Sequence, residues 1–515
     1  MVCCSNRGGK IGLHSGKFAK NMDHRLDPGP QSWAQLKSLY AAPSISLSEE
    51  AKENVIRAHD FLMDVVASGR TVYGVNTGFG QLAHVRVGED ELHQLQENII
   101  RSHAAGLGEP LPPDIVRWML LFKVCGLIRG HSGVQPQTVN RLVDFYNAGL
   151  LPVVPRQGSL GASGDLAPLS HMCLPLLGEG ELMEQMGDGQ WKTRPASEVL
   201  QERGWSPIAL GPKEGLALIN GTQMMSALLA YSLQDLEHLW DEAHGIASLS
   251  LAAFEGLVSP FHPAVHRLRQ HVGQEESAAA MRKWLDGAAF LRETHEWVQD
   301  PYSFRCIPQV YGAVRTAIDR GIETLEGEST AVTDNPILLP ETGEVISAGN
   351  FHGEPLAVIL DHLKVVASEL GTMSERRIYK LLSGTRGLPP FLATNPGLDS
   401  GLMIVQYTAA SVVARNKMRA MPASVDTIDS SNGQEDHVSM GANSGLQLLA
   451  VVEGAQEVLA CELLTASQAL HFRFAPGLSP MQNAYLARFR AAVPPQEGDV
   501  EQSSRMKLAI RILQR

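Results

Sequence analysis

Residues 158–169 read Gly158-Ser159-Leu160-Gly161-Ala162-Ser163-Gly164-Asp165-Leu166-Ala167-Pro168-Leu169. Taken alone, the small residues Ala162-Ser163-Gly164 are typical of an ordinary turn. The same tripeptide can also become an electrophile. The Gly164 nitrogen attacks the Ala162 carbonyl carbon, and loss of water from the ring and from Ser163 leaves 4-methylideneimidazol-5-one (MIO). Glycine permits the strained backbone of the attack, alanine leaves room for ring closure, and serine supplies the leaving hydroxyl.

The twelve-residue frame around this tripeptide resembles the signature of the aromatic amino acid ammonia-lyases. The resemblance implies that Ala162, Ser163 and Gly164 form the MIO autocatalytically, so that no external cofactor is needed. It also implies an aspartase/fumarase-like fold, in which a loop-rich N-terminal head carries the MIO loop and the rest is a long-helix bundle. The resemblance covers nearly the whole chain after residue 30.

Composition excludes several classes of function. The chain has 515 residues and a net charge of −12, which argues against nucleic acid or an anionic membrane as a partner. Six cysteines are scattered without a C-x-x-C pair, a pattern that predicts reduced thiols in a cytoplasmic protein. The uncharged run 215–234 is interrupted by polar residues, and the N-terminus lacks the pattern of a secretory signal. We therefore expect neither a membrane span nor export.

The hydrophobic pattern predicts a mainly α protein. Ser46 and Glu49 match a capping box in front of a helical apolar stripe that ends at Gly69. Longer apolar-periodic stretches, which together predict a helix bundle, cover residues 215–257, 306–325, 354–383, 400–421 and 440–472. Strand-like alternation is weak and short. We predict a flexible extension over residues 1–30, a head over 31–225, and a helical body with a C-terminal segment over 226–515.

Two candidate site residues lie near helix ends and loops. Residues 71–80 read TVYGVNTGFG; they lack the spacing of a phosphate-binding loop, and their simplest interpretation is a tight turn. The family resemblance places Tyr73 in the active site, where it is our candidate for the base that removes the β-proton. His103 would ordinarily be a helix cap or dipole partner. In this family the corresponding residue sits beside the substrate ring.

Five further residues are assigned through the resemblance. Asn220, in a stretch predicted as an apolar helix, would face the MIO carbonyl and the substrate. Arg305 would clamp the substrate α-carboxylate, because a guanidinium makes two parallel hydrogen bonds to it. Tyr302 would help close the ring and transfer protons, Gln299 would donate to substrate or MIO, and Phe351 would pack near the MIO ring. Buried structural amides and surface ion pairs are the alternatives for Asn220 and Arg305.

A metal site is also considered in the segment Gly349-Asn350-Phe351-His352-Gly353-Glu354-Pro355, which contains a histidine and a glutamate. The chain has no H-E-x-x-H, and the sequence shows no matching ligand cluster. No metal is therefore expected.

The segment Gln434-Glu435-Asp436-His437-Val438-Ser439-Met440-Gly441 carries the specificity signal. It resembles the histidine ammonia-lyase version of this motif, and a carboxylate at Glu435 suits an imidazole N–H but would be costly beside a phenyl ring. The resemblance implies conversion of L-histidine to urocanate and ammonia by a homotetramer with shared active sites. The chain departs from the family at Phe304, usually Leu, and at residues 430–433.

Three alternatives remain open. A tyrosine or phenylalanine ammonia-lyase, or an MIO aminomutase, shares most of these motifs; His103 could bind a phenol and does not discriminate, whereas Glu435 does. A serine hydrolase would need G-x-S-x-G, but Asp165 stands where the last glycine belongs. A non-catalytic member of the family is disfavoured because every residue that the chemistry needs is present.

Overall fold

The computed structural model describes residues 24–78, 87–88, 91–289, 297–473 and 477–514. Most of the predicted extension, residues 1–23, and the end of the predicted loop at residues 79–80 lie outside the described residues. No helix in these ranges is both long and apolar enough to cross a bilayer.

The described chain is mainly helical, as the sequence predicts. In its first half the α-helices are α1 (Trp33–Ala41), α2 (Glu49–Ala67), α3 (Leu92–His103), α4 (Pro113–Leu127), α5 (Pro136–Ala148), α6 (Leu166–Cys173), α7 (Ala196–Glu202), α8 (Glu214–Ile219) and α9 (Gln223–Ala253). The second half contains α10 (Pro263–Arg267), α11 (Val272–Leu285), α12 (Tyr302–Arg305), α13 (Ile307–Glu328), α14 (Glu354–Leu382), α15 (Met403–Arg419), α16 (Gly441–His471), α17 (Pro480–Ala492) and α18 (Gln502–Ile512).

Strands are short and form small separate sheets. They are β1 (Arg25–Leu26), β2 (Ser46–Leu47), β3 (Leu107–Pro110), β4 (Leu151–Pro152), β5 (Pro155–Gln157), β6 (Glu181–Gln185), β7 (Trp191–Pro195), β8 (Ile337–Leu339) and β9 (Glu344–Ile346). β1 pairs with β2 in parallel. The antiparallel sheets are β3-β5, β4-β6-β7 and β8-β9, and in β6-β7 Met183 faces Thr193 across the ladder.

The chain forms two compact units, each built from separated segments. The first unit contains the described residues up to Tyr231 together with Glu323–Val358 and Ala423–Gly445. The second contains Ser232–Ile322, Ile359–Pro422 and Leu446–Arg515. The sequence places a boundary between residues 225 and 226, a position that lies within helix α9.

The second unit contains the predicted helix bundle. The Trp240 indole N–H of α9 donates to the Tyr311 carbonyl of α13 at 2.8 Å. Between α14 and α16, the Ser374 hydroxyl donates to the Val458 carbonyl at 3.3 Å. A β-carbon added at Gly371 would lie 3.8 Å from the Ala455 Cα, so these two helices pack closely. The mainly α long-helix fold predicted from the sequence is confirmed.

Two local predictions need correction. The N-cap of α2 is Ser48, whose hydroxyl accepts the Ala51 N–H at 3.2 Å, and not Ser46, which lies in β2. The apolar stretch 215–257 is two helices, because Asn220 leaves the helical backbone with φ −69° and ψ 144° and Gly221 follows with φ 124°. Glycine tolerates that dihedral, and a side chain does not.

A buried ion pair joins three helices of the bundle. Arg377 of α14 donates from Nε and Nη2 to the two carboxylate oxygens of Glu462 at 2.6 and 2.7 Å. Its Nη2 also donates to the Tyr311 hydroxyl at 2.6 Å. The side chains of Arg377 and Glu462 are both 0% exposed. A buried pair of this kind is costly to break, because the remaining partner is left as an uncompensated charge.

Replacing Arg377 with Met should therefore lower the free energy of unfolding by about 3–5 kcal/mol, measured by urea titration followed by circular dichroism. The matched control is Arg415→Met, which breaks an ion pair with Glu457 at the surface. The side chain of Arg415 is 42% exposed and that of Glu457 is 33% exposed. That control should lose no more than about 1 kcal/mol. Equal losses in the two variants would contradict the role given to Arg377.

Candidate active site

The loop that carries Ala162-Ser163-Gly164 is held against a second glycine turn. Ser163 has φ 41° and Gly164 has φ 80°, and Gly164 bridges to Gly221. A β-carbon at Gly164 would lie 2.1 Å from the Gly221 carbonyl oxygen. Only glycine permits this approach of two backbones. The loop therefore has a tight, left-handed backbone at Ser163 and Gly164.

Asp165 anchors the loop from the other side. Its N–H donates to the Gly221 carbonyl at 2.7 Å, and its carboxylate accepts the Met225 N–H at 3.0 Å and the Ser159 hydroxyl at 3.1 Å. Asp165 is fully buried, and burial raises its pKa to about 7 although these hydrogen bonds oppose the shift. The carboxyl thus ties the loop to the start of α9.

A buried lysine positions the residue that contacts the tripeptide. The Asn220 amide donates to the Ser163 carbonyl at 3.4 Å. Beneath it, the Lys123 ammonium donates to the carbonyls of Asn220 and Ala217 at 2.8 and 3.3 Å. Burial lowers the pKa of Lys123 to about 8. Lys123 lies in the apolar helix α4, where the sequence analysis did not single it out.

The loop at Ser163 and the helix end at Asn220 line a cavity of about 1040 Å³ in the first unit. The predicted site residues on its wall are Tyr73, His103, Ala162, Ser163, Asn220, Phe351 and Glu435. They come from loops and helix ends that are separated by as many as 362 residues in sequence, from position 73 to position 435. The structure therefore brings together seven of the predicted residues.

Glu435 lies directly beside the tripeptide. The Ser163 hydroxyl donates to Glu435 Oε1 at 3.0 Å. The hydroxyls of Ser430 and Ser431 donate to Oε2 at 2.7 and 2.9 Å. The segment 430–433, which departs from the family pattern, thus supplies the contacts that orient this carboxylate.

His103 is on the same wall with a defined hydrogen-bond pattern. Its Nδ1 lies 2.8 Å from the Ile99 carbonyl oxygen, which can only accept, so Nδ1 carries the hydrogen of the neutral ring. Burial lowers the pKa of His103, against the opposing effects of the Ile99 carbonyl and the Glu435 charge. The neutral imidazole therefore offers Nε2 as an acceptor.

Gln299, Tyr302 and Arg305 do not line this cavity. They line another cavity, of about 500 Å³, in the second unit. There the Arg305 guanidinium lies 4.7 Å from the Tyr302 ring centre, and Arg305 Nε is buried with no hydrogen-bond partner among the described residues. Tyr302 is 70% exposed. Phe304, which stands where the family usually has Leu, is buried. Its ring stacks on the ring of Phe254, with the two ring centres 4.5 Å apart.

The cavity beside Ser163 also contains residues that sequence reasoning did not assign to a site. His352 and His437 line it, and with Glu354 they form a group of potential metal ligands. No local sequence pattern reveals this cluster, because His437 is 85 positions away from His352 along the chain. The His-x-Glu spacing at residues 352–354 was the only available signal.

Comparison with known proteins places the chain in a family. Residues 32–491 match the aromatic amino acid lyases. A histidine ammonia-lyase of Geobacillus thermodenitrificans is 46% identical over 459 residues, which are 88% of this chain and 90% of that protein. The chain belongs to the aromatic amino acid lyase family.

Solved structures of aromatic amino acid lyases and aminomutases share this fold. The histidine ammonia-lyase of Trypanosoma cruzi is similar with a TM-score of 0.87 and 38% identity, covering 95% of this chain and 92% of that one. A tyrosine aminomutase of Streptomyces globisporus is similar with a TM-score of 0.90 and 32% identity, covering 96% and 97%. Fold likeness therefore does not separate the lyases from the aminomutases of this family.

Lys123→Met should selectively disturb the loop that carries Ala162-Ser163-Gly164. The change leaves the Asn220 and Ala217 carbonyls without their donor. Each unsatisfied buried carbonyl costs roughly 1–3 kcal/mol of folding free energy. The free energy of unfolding should fall accordingly, and fewer chains should lose the mass of two water molecules from the tripeptide, measured by peptide mass spectrometry. The matched control is Lys52→Met, because the side chain of Lys52 is 49% exposed. Its free energy of unfolding and its fraction of dehydrated tripeptide should stay unchanged. If Lys123→Met matched this control, Lys123 would not position Asn220.

Proposed function

We propose that this protein is a histidine ammonia-lyase, which converts L-histidine to urocanate and ammonia. The observation that carries the proposal is the carboxylate of Glu435 at 3.0 Å from the Ser163 hydroxyl, in the same cavity as Tyr73 and His103. The similar proteins of Geobacillus thermodenitrificans and Trypanosoma cruzi bear the name histidine ammonia-lyase. A carboxylate at this position favours a substrate ring that carries an N–H.

Formation of MIO from Ala162-Ser163-Gly164 is part of the proposal. Two observations support this cyclisation. Ser163 and Gly164 both have positive φ angles, and Gly164 approaches Gly221 too closely for any residue with a β-carbon. When formed, the ring would supply an electrophile that captures the substrate through its amine or through its imidazole ring. No external cofactor is needed.

Maturation would also free Glu435 for the substrate. The Ser163 hydroxyl, which now donates to Glu435 Oε1, is lost on dehydration. Because Ser430 and Ser431 still hold Oε2, Oε1 then faces the cavity as an acceptor for the imidazole N–H. His103 Nε2 lies on the wall of the same cavity and can accept a further hydrogen bond.

The remaining residues complete the elimination. Tyr73 takes the β-proton, Asn220 and Phe351 bind the substrate beside the tripeptide, and the amine leaves as ammonia. Arg305 holds the α-carboxylate through its fork, while Tyr302 assists proton transfer and ring closure. Gln299 donates a hydrogen bond to substrate or MIO. Arg305 Nε is buried and lacks a hydrogen-bond partner in the part of the chain that the structure describes, which supports a ligand-binding role for this guanidinium.

We propose that the active enzyme is a homotetramer in the cytoplasm. Arg305, Tyr302 and Gln299 line a different cavity from Ser163, an arrangement that fits sites completed by another copy of the chain. On helix α15 the large apolar side chains of Ile404, Tyr407 and Met418 are each more than 50% exposed. Exposed apolar side chains on one helix face fit a surface that another copy of the chain covers.

The function is tested by incubating the purified protein with L-histidine, L-phenylalanine and L-tyrosine and following absorbance of the unsaturated products. Only histidine should be turned over efficiently. The proteolytic peptide that contains Ala162-Ser163-Gly164 should be lighter than its encoded mass by two water molecules. Ser163→Ala should remove most turnover without unfolding the protein, since the loop loses one hydroxyl and no core volume. Preferred turnover of tyrosine or phenylalanine, or a β-amino acid product, would instead identify one of the rival activities.

Glu435→Gln should reduce the preference for histidine. Loss of a charge-assisted hydrogen bond costs about 1.5–3 kcal/mol, or roughly tenfold to more than a hundredfold in kcat/KM for histidine. Phenylalanine and tyrosine carry no imidazole N–H, so their kcat/KM should fall little. Rates are normalised to the fraction of chains that have lost two waters, which separates substrate recognition from MIO formation.

The matched control for this prediction is Asp436→Asn, which removes the same charge from the neighbouring residue of the cavity wall. Its kcat/KM for histidine should stay within a few-fold of wild type. An equal proportional loss on all three substrates in Glu435→Gln would show that Glu435 acts on the MIO group or the fold.

A further inference from the structure

A cluster of three metal-ligating side chains lies in the first unit. His352 and His437 line the cavity, and Glu354 opens helix α14 two residues after His352. One ligand atom from each of the three residues lies within 4.8 Å of the other two. We propose that His352, Glu354 and His437 bind a transition-metal dication of the Zn²⁺ class.

The distance between the two imidazoles fits a shared ion. His437 Nδ1 lies 3.5 Å from His352 Nε2. Two nitrogen ligands at about 2.0–2.1 Å from a tetrahedral zinc ion lie roughly 3.4 Å apart. The spacing of these two nitrogens is therefore already close to the spacing that a common ion needs. Two imidazoles and one carboxylate are also a ligand set that zinc and its neighbours accept.

Glu354 provides an independent observation. Its Oε2 is buried and has no hydrogen-bond partner among the described residues. A buried carboxylate oxygen without a donor is costly, and most buried polar atoms in folded proteins are partnered. A cation held by His352 and His437 would satisfy this oxygen.

The alternative is a pair of hydrogen-bonded histidines. The Glu354 N–H lies 3.3 Å from His352 Nδ1, which places the ring hydrogen on Nε2, toward His437. That arrangement pairs the two imidazoles but leaves Glu354 Oε2 unsatisfied. An ion at Nε2 replaces this hydrogen and displaces two long contacts, the one from the Glu354 N–H to Nδ1 at 3.3 Å and the one from Nε2 to the His437 carbonyl oxygen at 3.3 Å. The carboxylate therefore favours the ion.

The bound ion would connect two segments of the first unit. His437 follows Glu435 by two residues, whereas Glu354 is the first residue of α14 and His352 precedes it by two. The ion thus ties the segment that carries Glu435 to a long helix. Its occupancy would restrict the backbone around residues 435–437.

Zn²⁺ alone is titrated calorimetrically into the full-length protein after chelator treatment. Substrate is omitted because L-histidine itself binds zinc. Wild type should bind one ion per chain at this cluster. His437→Asn and His352→Gln should weaken that binding by more than about a hundredfold, since even loss of an outer-shell partner costs about 10–100-fold. Amide hydrogen exchange of residues 428–438 should slow with Zn²⁺ in wild type and not in His437→Asn.

The matched control is His362→Gln, which removes an exposed histidine from the same helix and should bind zinc like wild type. Circular dichroism without zinc verifies that each variant is folded. His437 is itself exposed, so His437→Asn decides the question even if His352→Gln does not fold. Unchanged zinc affinity and stoichiometry in His437→Asn, or no zinc binding by wild type, would overturn the proposal.

Discussion

The contact of Gly164 with Gly221 is the constraint on which the rest of the site depends. The two backbones approach so closely that a β-carbon at Gly164 would lie 2.1 Å from the Gly221 carbonyl oxygen. This contact requires a break between α8 and α9, where Asn220 and Gly221 leave the helical conformation. The break in turn directs the Asn220 amide toward Ser163.

Buried charge supports this strained arrangement. Lys123 holds the carbonyls at the end of α8, and Asp165 holds the start of α9. Burial shifts the pKa of Lys123 downward to about 8 and that of Asp165 upward to about 7. Both shifts show that desolvation is only partly offset, by hydrogen bonds and the Lys123 charge at Asp165 and by nearby acidic groups at Lys123. The site thus costs stability locally, and other parts of the fold must supply it.

Sequence patterns predicted the long helices well and their local ends less well. Long apolar periodicity has many matching positions, so α14 and α16 lie close to the predicted stretches 354–383 and 440–472. Helix ends depend on single hydrogen bonds. Ser48 and Ser46 are therefore hard to distinguish as caps, and Asn220 could not be recognised as a break inside an apolar stretch.

The sequence by itself determined the helical class, the chemistry open to Ala162-Ser163-Gly164, and the residue types that serve it. These properties follow from local covalent chemistry and from hydrophobic periodicity. Only the tertiary structure decided which residues share a cavity. It brought Glu435 to Ser163, joined His437 to His352 and Glu354, and put Arg305 in a separate cavity. Such contacts between distant positions arise from packing of the whole chain, which no local pattern encodes.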